Sequence, residues 1–249
     1  VLVVPSVSRS LAVDLDKECS LSFEMLPEYE SDLASVNMKV DLYKVASAIE
    51  DPNFDSYSFE ATSSFASLAP SLQNISAVDY SALSQQAAQI VVEENISPIS
   101  VVSVTETASL EPGLYLTMPH RADVSLSDSI DRIMVGDGTY NVISFVNSPL
   151  YKYEFNPSLV ALPSRMSEGS NNTSNTVDWQ FDFEMLLKAS RSYREDGSLI
   201  INKSVDQYGG SGQQMFVFEI TVSPLEGDAY TRMESIVLEE GSTTASVTM

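Results

Sequence analysis

The chain has 249 residues, with 13 Lys and Arg against 35 Asp and Glu for a formal charge of −22, and a single His, Cys and Trp. That charge repels phosphate backbones and argues against nucleic acid as a partner. No run approaches the roughly 18 consecutive apolar residues of a membrane helix, so no membrane span is expected. With 43% hydrophobic residues the chain can build a core, and its length suits one large or two smaller domains.

In chain order, Val1 to Val4 is apolar, and Ser10 and Ala12 stand at the spacing of a signal-peptidase site. Residues 1–12 therefore read as the remnant of a secretory signal or as an N-terminal arm. Leu21, Phe23 and Met25 then alternate with Ser20, Ser22 and Glu24, and Val36, Met38, Val40 and Leu42 alternate with Asn37, Lys39, Asp41 and Tyr43. Both stretches predict strands with one wet face. Tyr80, Leu83, Ala87, Ile90 and Val91 fall on one helical face, which predicts a single inserted amphipathic helix near 79–94. Ser76 with Asp79 supplies its capped start and Asn95 its stop. Glu111-Pro112-Gly113 and Gly136-Asp137-Gly138 are turns, and residues 167–175 form a polar hairpin loop. Strong alternation returns at Trp179, Phe181, Phe183 and Met185, and again at Phe216, Phe218, Ile220 and Val222. Residues 191–196 read as a linker between a domain over 13–190 and a second over 197–249. The closing Ser246 to Met249 reads as a strand cut short, so the second domain is expected to be incomplete.

The chemistry-bearing residues are sparse. Cys19 lacks a partner for an internal disulfide, and the lone His120 excludes a His pair for a metal or a relay. Low cysteine content suits either the cytosol or the surface of a bacterium. His120 follows Met118-Pro119 and reads as a loop residue. No G-x-S-x-G elbow occurs, and acid pairs such as Asp14/Asp16, Glu28/Glu30, Asp128/Asp131 and Glu239/Glu240 read as solvated faces. Clustered carboxylates suit a structural calcium ion, yet the twelve-residue calcium-loop pattern is missing. Gly209-Gly210-Ser211-Gly212 lacks the Lys-Ser/Thr ending of a phosphate loop and reads as a hairpin loop. No catalytic residue, cofactor or metal ligand is assigned.

Several phrases, in order, carry a resemblance. Val13-Asp14-Leu15 with Cys19 to Phe23, Val40-Asp41-Leu42-Tyr43-Lys44-Val45-Ala46, Leu110-Glu111-Pro112-Gly113-Leu114-Tyr115-Leu116 and Phe155 to Pro163 resemble Gram-positive surface proteins and pilins. The resemblance is to their Cna B-type (SpaA-like, prealbumin-like) domains, with Cys19 where that family usually has Gly. Gly197 to Val205, Gly209 to Gly212 and Met215 to Val222 are similar to the start of a streptococcal-type pilin isopeptide domain. The resemblance implies a mainly β fold: a prealbumin-like or Ig-like β-sandwich with one inserted helix, then a second, incomplete sandwich.

It also implies an autocatalytic Lys–Asn amide, for which burial keeps the amine neutral and a protonated acid polarises the carboxamide. Lys203 matches the family's linking Lys, with its partners absent from this chain. In the first domain the corresponding stretch, Leu21 to Met25, holds no Lys, and Lys188 has no Asn nearby, so no amide is expected there. Lys39 and Lys44 read as outward-facing. By this resemblance the chain is a non-enzymatic, extracellular structural or adhesive protein, a pilus or fimbrial subunit. Its partners would be other surface subunits or a host glycan, with sortase-dependent anchoring beyond Met249. The competing reading is a carbohydrate-binding or accessory module of a larger extracellular enzyme. It wants a row of exposed aromatics, for which only Tyr29, Tyr57, Tyr151 and Tyr153 qualify.

Overall fold

A computed structural model describes residues 13–51, 56–73, 75, 79–136, 138–165, 179–194, 199–223 and 228–249. The N-terminal segment, Ser76 and the 167–175 loop lie outside the described residues. The fold is mainly β, built of several sheets, and the chain divides into two units, Val1–Ser192 and Tyr193–Met249.

The first unit runs β1 (Cys19–Met25), α1 (Pro27–Leu33), β2 (Met38–Glu50), β3 (Tyr57–Ala61), α2 (Ala69–Leu72), α3 (Tyr80–Glu94), β4 (Ser100–Ser103) and β5 (Ala108–Leu110). It continues with β6 (Gly113–Arg121), β7 (Ile130–Gly136), β8 (Thr139–Asn147), β9 (Tyr151–Phe155), β10 (Ser158–Leu162), β11 (Ser164–Arg165), β12 (Trp179–Gln180), β13 (Asp182–Leu187) and β14 (Ala189–Tyr193). Short 3₁₀ turns cover Ser63–Leu68 and Leu126–Ser129.

A central sheet orders β10-β6-β2-β3, with β4 also on β2; β13-β1-β5 and β14-β9-β8-β7 form further sheets. β1 lies parallel to β13 and antiparallel to β5. The central strands face two cores. Met38, Val40, Leu42 and Tyr115 enter one, with Leu21, Phe23, Tyr153 and Leu187. Tyr43, Val45, Leu116 and Met118 enter the other, with Phe65, Leu83, Ala87, Val91 and Val142. β2 therefore has no wet face, contrary to the expectation from its Lys39 and Asp41. The helical segments over 63–72 and 80–94 cover the face that those polar residues made look solvated. Full burial of each large apolar side chain stabilises by roughly 1.5–3 kcal/mol.

Local chemistry explains the central pair. Gly113 opens β6 opposite Ser47, next to a bulge between Lys44 and Ala46, and an added Cβ there would lie 2.6 Å from the Ala46 carbonyl oxygen. Only glycine permits that approach. Pro119 lies beyond the pairing of β10 with β6, which ends at Thr117, so its missing N–H leaves that ladder intact.

α3 forms where the apolar spacing predicts. The Asp79 carboxylate accepts from the N–H groups of Ser81 at 2.8 Å and Ala82 at 3.4 Å, and Asn95 takes the left-handed conformation, φ 52°, at the other end. Tyr80 is exposed, however, and Ser84 and Ala88 are buried with Leu83, Ala87 and Val91. α3 is not the only helix among the described residues. α1 starts on Pro27 with Glu28 and Glu30 in its first turn and buries only Leu33, too little periodicity to betray it.

Two further expectations change. The Trp179 strand is split at Phe181 into β12 and β13, and the first residues of the expected linker, Arg191 to Tyr193, belong to β14. The Arg191 guanidinium sits over the rings of Tyr29 and Tyr151, at 5.0 and 4.5 Å from their centroids.

The second unit holds β15 (Ile200–Ser204), β16 (Gln214–Val222), β17 (Tyr230–Leu238) and β18 (Thr244–Thr248). β15 pairs with β18 and β16 with β17. The Gly209 to Gly212 stretch thus connects two separate ladders and is not a hairpin loop. Ile201 and Val205, like Phe216, Phe218, Ile220 and Val222, are half-buried and alternate with exposed neighbours, whereas Ile236 and Leu238 are buried.

Candidate functional site

Lys203 stands on β15 opposite Ala245 of β18, half-buried on the face of Ile201 and Val205, while Asn202 and Ser204 are exposed. Its Nζ lies 4.7 Å from the centroid of the Phe216 ring on β16. Among the described residues no carboxylate and no Asn amide is bonded to Lys203.

A second constellation, in the first unit, was not read from the sequence. Antiparallel pairing sets Asp41 opposite Met118 and Tyr43 opposite Leu116. Residues 41 and 43 of β2 and 116, 118 and 120 of β6 therefore share the face toward α3. His120 is not a loop residue: it lies on β6, 7% exposed, diagonal to Asp41, which is 5% exposed. Its Nε2 donates to Asp41 Oδ1 at 3.0 Å, and the Tyr43 hydroxyl donates to Asp41 Oδ2 at 3.1 Å. Nδ1 donates to the carbonyls of Arg121 and Val124, at 2.7 and 2.9 Å.

Every partner of the imidazole is thus an acceptor, which calls for the doubly protonated cation. Burial works against that charge, but the Asp41 carboxylate and the two carbonyls outweigh it and raise the His120 pKa above the usual 6.5. Burial, reinforced by Asp41, holds the Tyr43 hydroxyl protonated far above the ordinary tyrosine range. The sequence signal was parity: His120 shares the even-numbered face of Leu116 and Met118.

Asp41 and Tyr43 floor a cavity of about 380 Å³. It is further lined by the last turn of α3 with Ile96 and Pro98, and by Leu126 and Ile130. Asn95, Ser97, Ser127 and Arg132 stand exposed along its edge. The Arg132 guanidinium lies 5.4 Å from the Tyr140 ring centroid, and the Tyr140 hydroxyl donates to Glu93 at 2.8 Å.

The remaining candidates are held locally. Among the acid pairs, Asp14 accepts the backbone N–H of Asp16, while Asp128 accepts from the Ser125 hydroxyl, Asp131 from the Lys152 ammonium and Glu239 from the Gln213 amide. Lys44 is not outward-facing, since its side chain is 16% exposed and its ammonium meets Glu111 at 2.7 Å. Lys188 is exposed. Tyr153 is fully buried, bonded to Asp32 at 2.6 Å and edge-on to Tyr29, and Tyr57 packs on Trp179, so these tyrosines form no exposed row. Burial, then the Asp32 bond, pushes the Tyr153 pKa up to about 12 against the lowering effect of Arg191. Burial likewise pushes the Cys19 thiol up to about 11, an unreactive state. Among the described residues no group of His, Cys, Asp and Glu could hold a metal ion, and no helix is long and apolar enough to cross a membrane.

Compared with protein-family models and with curated proteins, the chain matches none.

Proposed function

We propose that the chain is a non-enzymatic structural or adhesive protein of a Gram-positive cell surface, a pilus or fimbrial subunit. It works by presenting surfaces and not by turning over substrate. The observation that carries this reading is Lys203, aligned with Ile201 and Val205 on one strand face and with its amine over the Phe216 ring. A linking lysine needs apolar neighbours on its strand face, which disfavour the charged form of the amine. In the amide-forming step the Lys203 Nζ attacks an Asn side-chain carbonyl carbon, a C–N bond forms, and the carboxamide nitrogen leaves as ammonia.

The test is peptide mapping of protein isolated from the surface of its own cells. The expected result is a Lys203 peptide joined to an Asn peptide with a loss of about 17 Da, one ammonia. A Lys203 amine that is fully acetylatable in that material overturns the cross-linking reading.

A further inference from the structure

We propose that the cavity floored by Asp41 and Tyr43 binds a neutral, polyhydroxylated ligand, a single sugar residue, with one ligand hydroxyl donating to the Asp41 carboxylate. The cavity lies within the first unit and is independent of the role given to Lys203.

Charge excludes the alternatives on both sides. A cationic ligand would meet a carboxylate already neutralised by the His120 imidazolium at 3.0 Å, with the Arg132 guanidinium also lining the cavity. An anionic ligand would face the negative end of α3, whose last turn lines the cavity, and a chain of net charge −22. A neutral ligand meets neither penalty. What remains open is hydrogen bonding: a carboxylate offers about four lone-pair sites, and His120 and Tyr43 take two of those on Asp41. The free positions accept and cannot donate, so the ligand group there is a hydrogen-bond donor, a role that a hydroxyl of a neutral sugar fills.

The edge supplies the complement. The Asn95 amide, the Ser97 and Ser127 hydroxyls and Arg132 together donate and accept, as a ring of hydroxyls requires. Between floor and edge the walls are aliphatic, from Val92, Ile96 and Ile130, which suits the C–H faces of a sugar ring. The volume of about 380 Å³ lies within the roughly 300–1,000 Å³ of small-ligand sites.

The test is a nuclear magnetic resonance titration of the full chain with the methyl glycosides of glucose, galactose, mannose and fucose. Glucosamine and glucuronate serve as the cationic and anionic arms. The expected result is saturable shifts at cavity residues for at least one neutral glycoside, with the charged sugars at least about tenfold weaker. Val92→Trp, which fills the cavity from α3, removes the binding. Asn95→Gly keeps the left-handed backbone, deletes the amide and weakens binding by about tenfold. The proposal fails if no neutral glycoside shifts the cavity, if a charged sugar binds as tightly as the neutral ones, or if binding survives Val92→Trp in a folded chain.

Discussion

β2 in the first unit and β16 in the second carry the same signal, apolar residues at every other position, and end in different surroundings. On β2 both parities are buried, Val40 and Leu42 in one core and Tyr43 and Val45 in the other. On β16 one parity is half-buried and the other exposed. Alternation states which residues share a face, but the number of layers stacked on that face sets how much water leaves it. In the first unit a helical layer adds a second core, and it also takes a charged pair out of solvent.

The largest effect follows from that pair. His120→Ala leaves the Asp41 carboxylate buried without its counter-ion and should destabilise the first unit by about 3–5 kcal/mol. Fluorescence of Trp179, the chain's single tryptophan and a residue of the first unit, follows its urea unfolding. A loss under about 1 kcal/mol would mean that water reaches Asp41.

Next comes a matched pair of truncations. Leu42→Ala, at a fully buried site, should destabilise by about 2–5 kcal/mol. Ile201→Ala, on the half-buried face of β15, should cost about 1 kcal/mol, because less apolar area returns to water. Equal costs would show the second unit to be as closed as the first.

A smaller effect is pH dependence. The folded-state pKa of His120 lies above the unfolded value, so its stabilisation is complete below that unfolded value and is lost as pH rises through the folded one. The melting temperature of the first unit should therefore fall as pH rises above the ordinary histidine pKa of 6.5, and His120→Gln should flatten the slope. A melting temperature that climbs over this range contradicts the imidazolium assignment.

The smallest is Phe216→Leu, which removes the ring beneath the Lys203 ammonium and should destabilise the second unit by about 0.5–1 kcal/mol beyond its packing loss. A double-mutant cycle with Lys203→Met isolates that contribution, and a coupling of zero would place the amine in solvent.

Legibility in the sequence followed the range of the interactions. The strand faces of β1 and β16, the Asp79 and Asn95 ends of α3 and the face shared by Ile201, Lys203 and Val205 were readable, because each depends on residues within a turn or a strand of one another; on β2 the sequence showed which residues share a face but not that both faces are covered. α1 was missed because a helix of 7 residues that buries one leucine has no periodicity to show. Tyr153 looked exposed in Tyr151-Lys152-Tyr153, yet it is buried against Asp32 and Tyr29, partners more than a hundred positions away.

Asp41 and His120 mark the limit most clearly. The sequence by itself determined that each sits among alternating residues, and so which neighbours share its side of a strand. Only the tertiary structure decided that their faces coincide, through the pairing of β2 with β6, and that α3 covers them. A carboxylate 79 positions away, with two backbone carbonyls, then outweighs desolvation and favours the charged form of a loop-like histidine, because electrostatic interactions follow distance in space and the dielectric around them, not order in the chain.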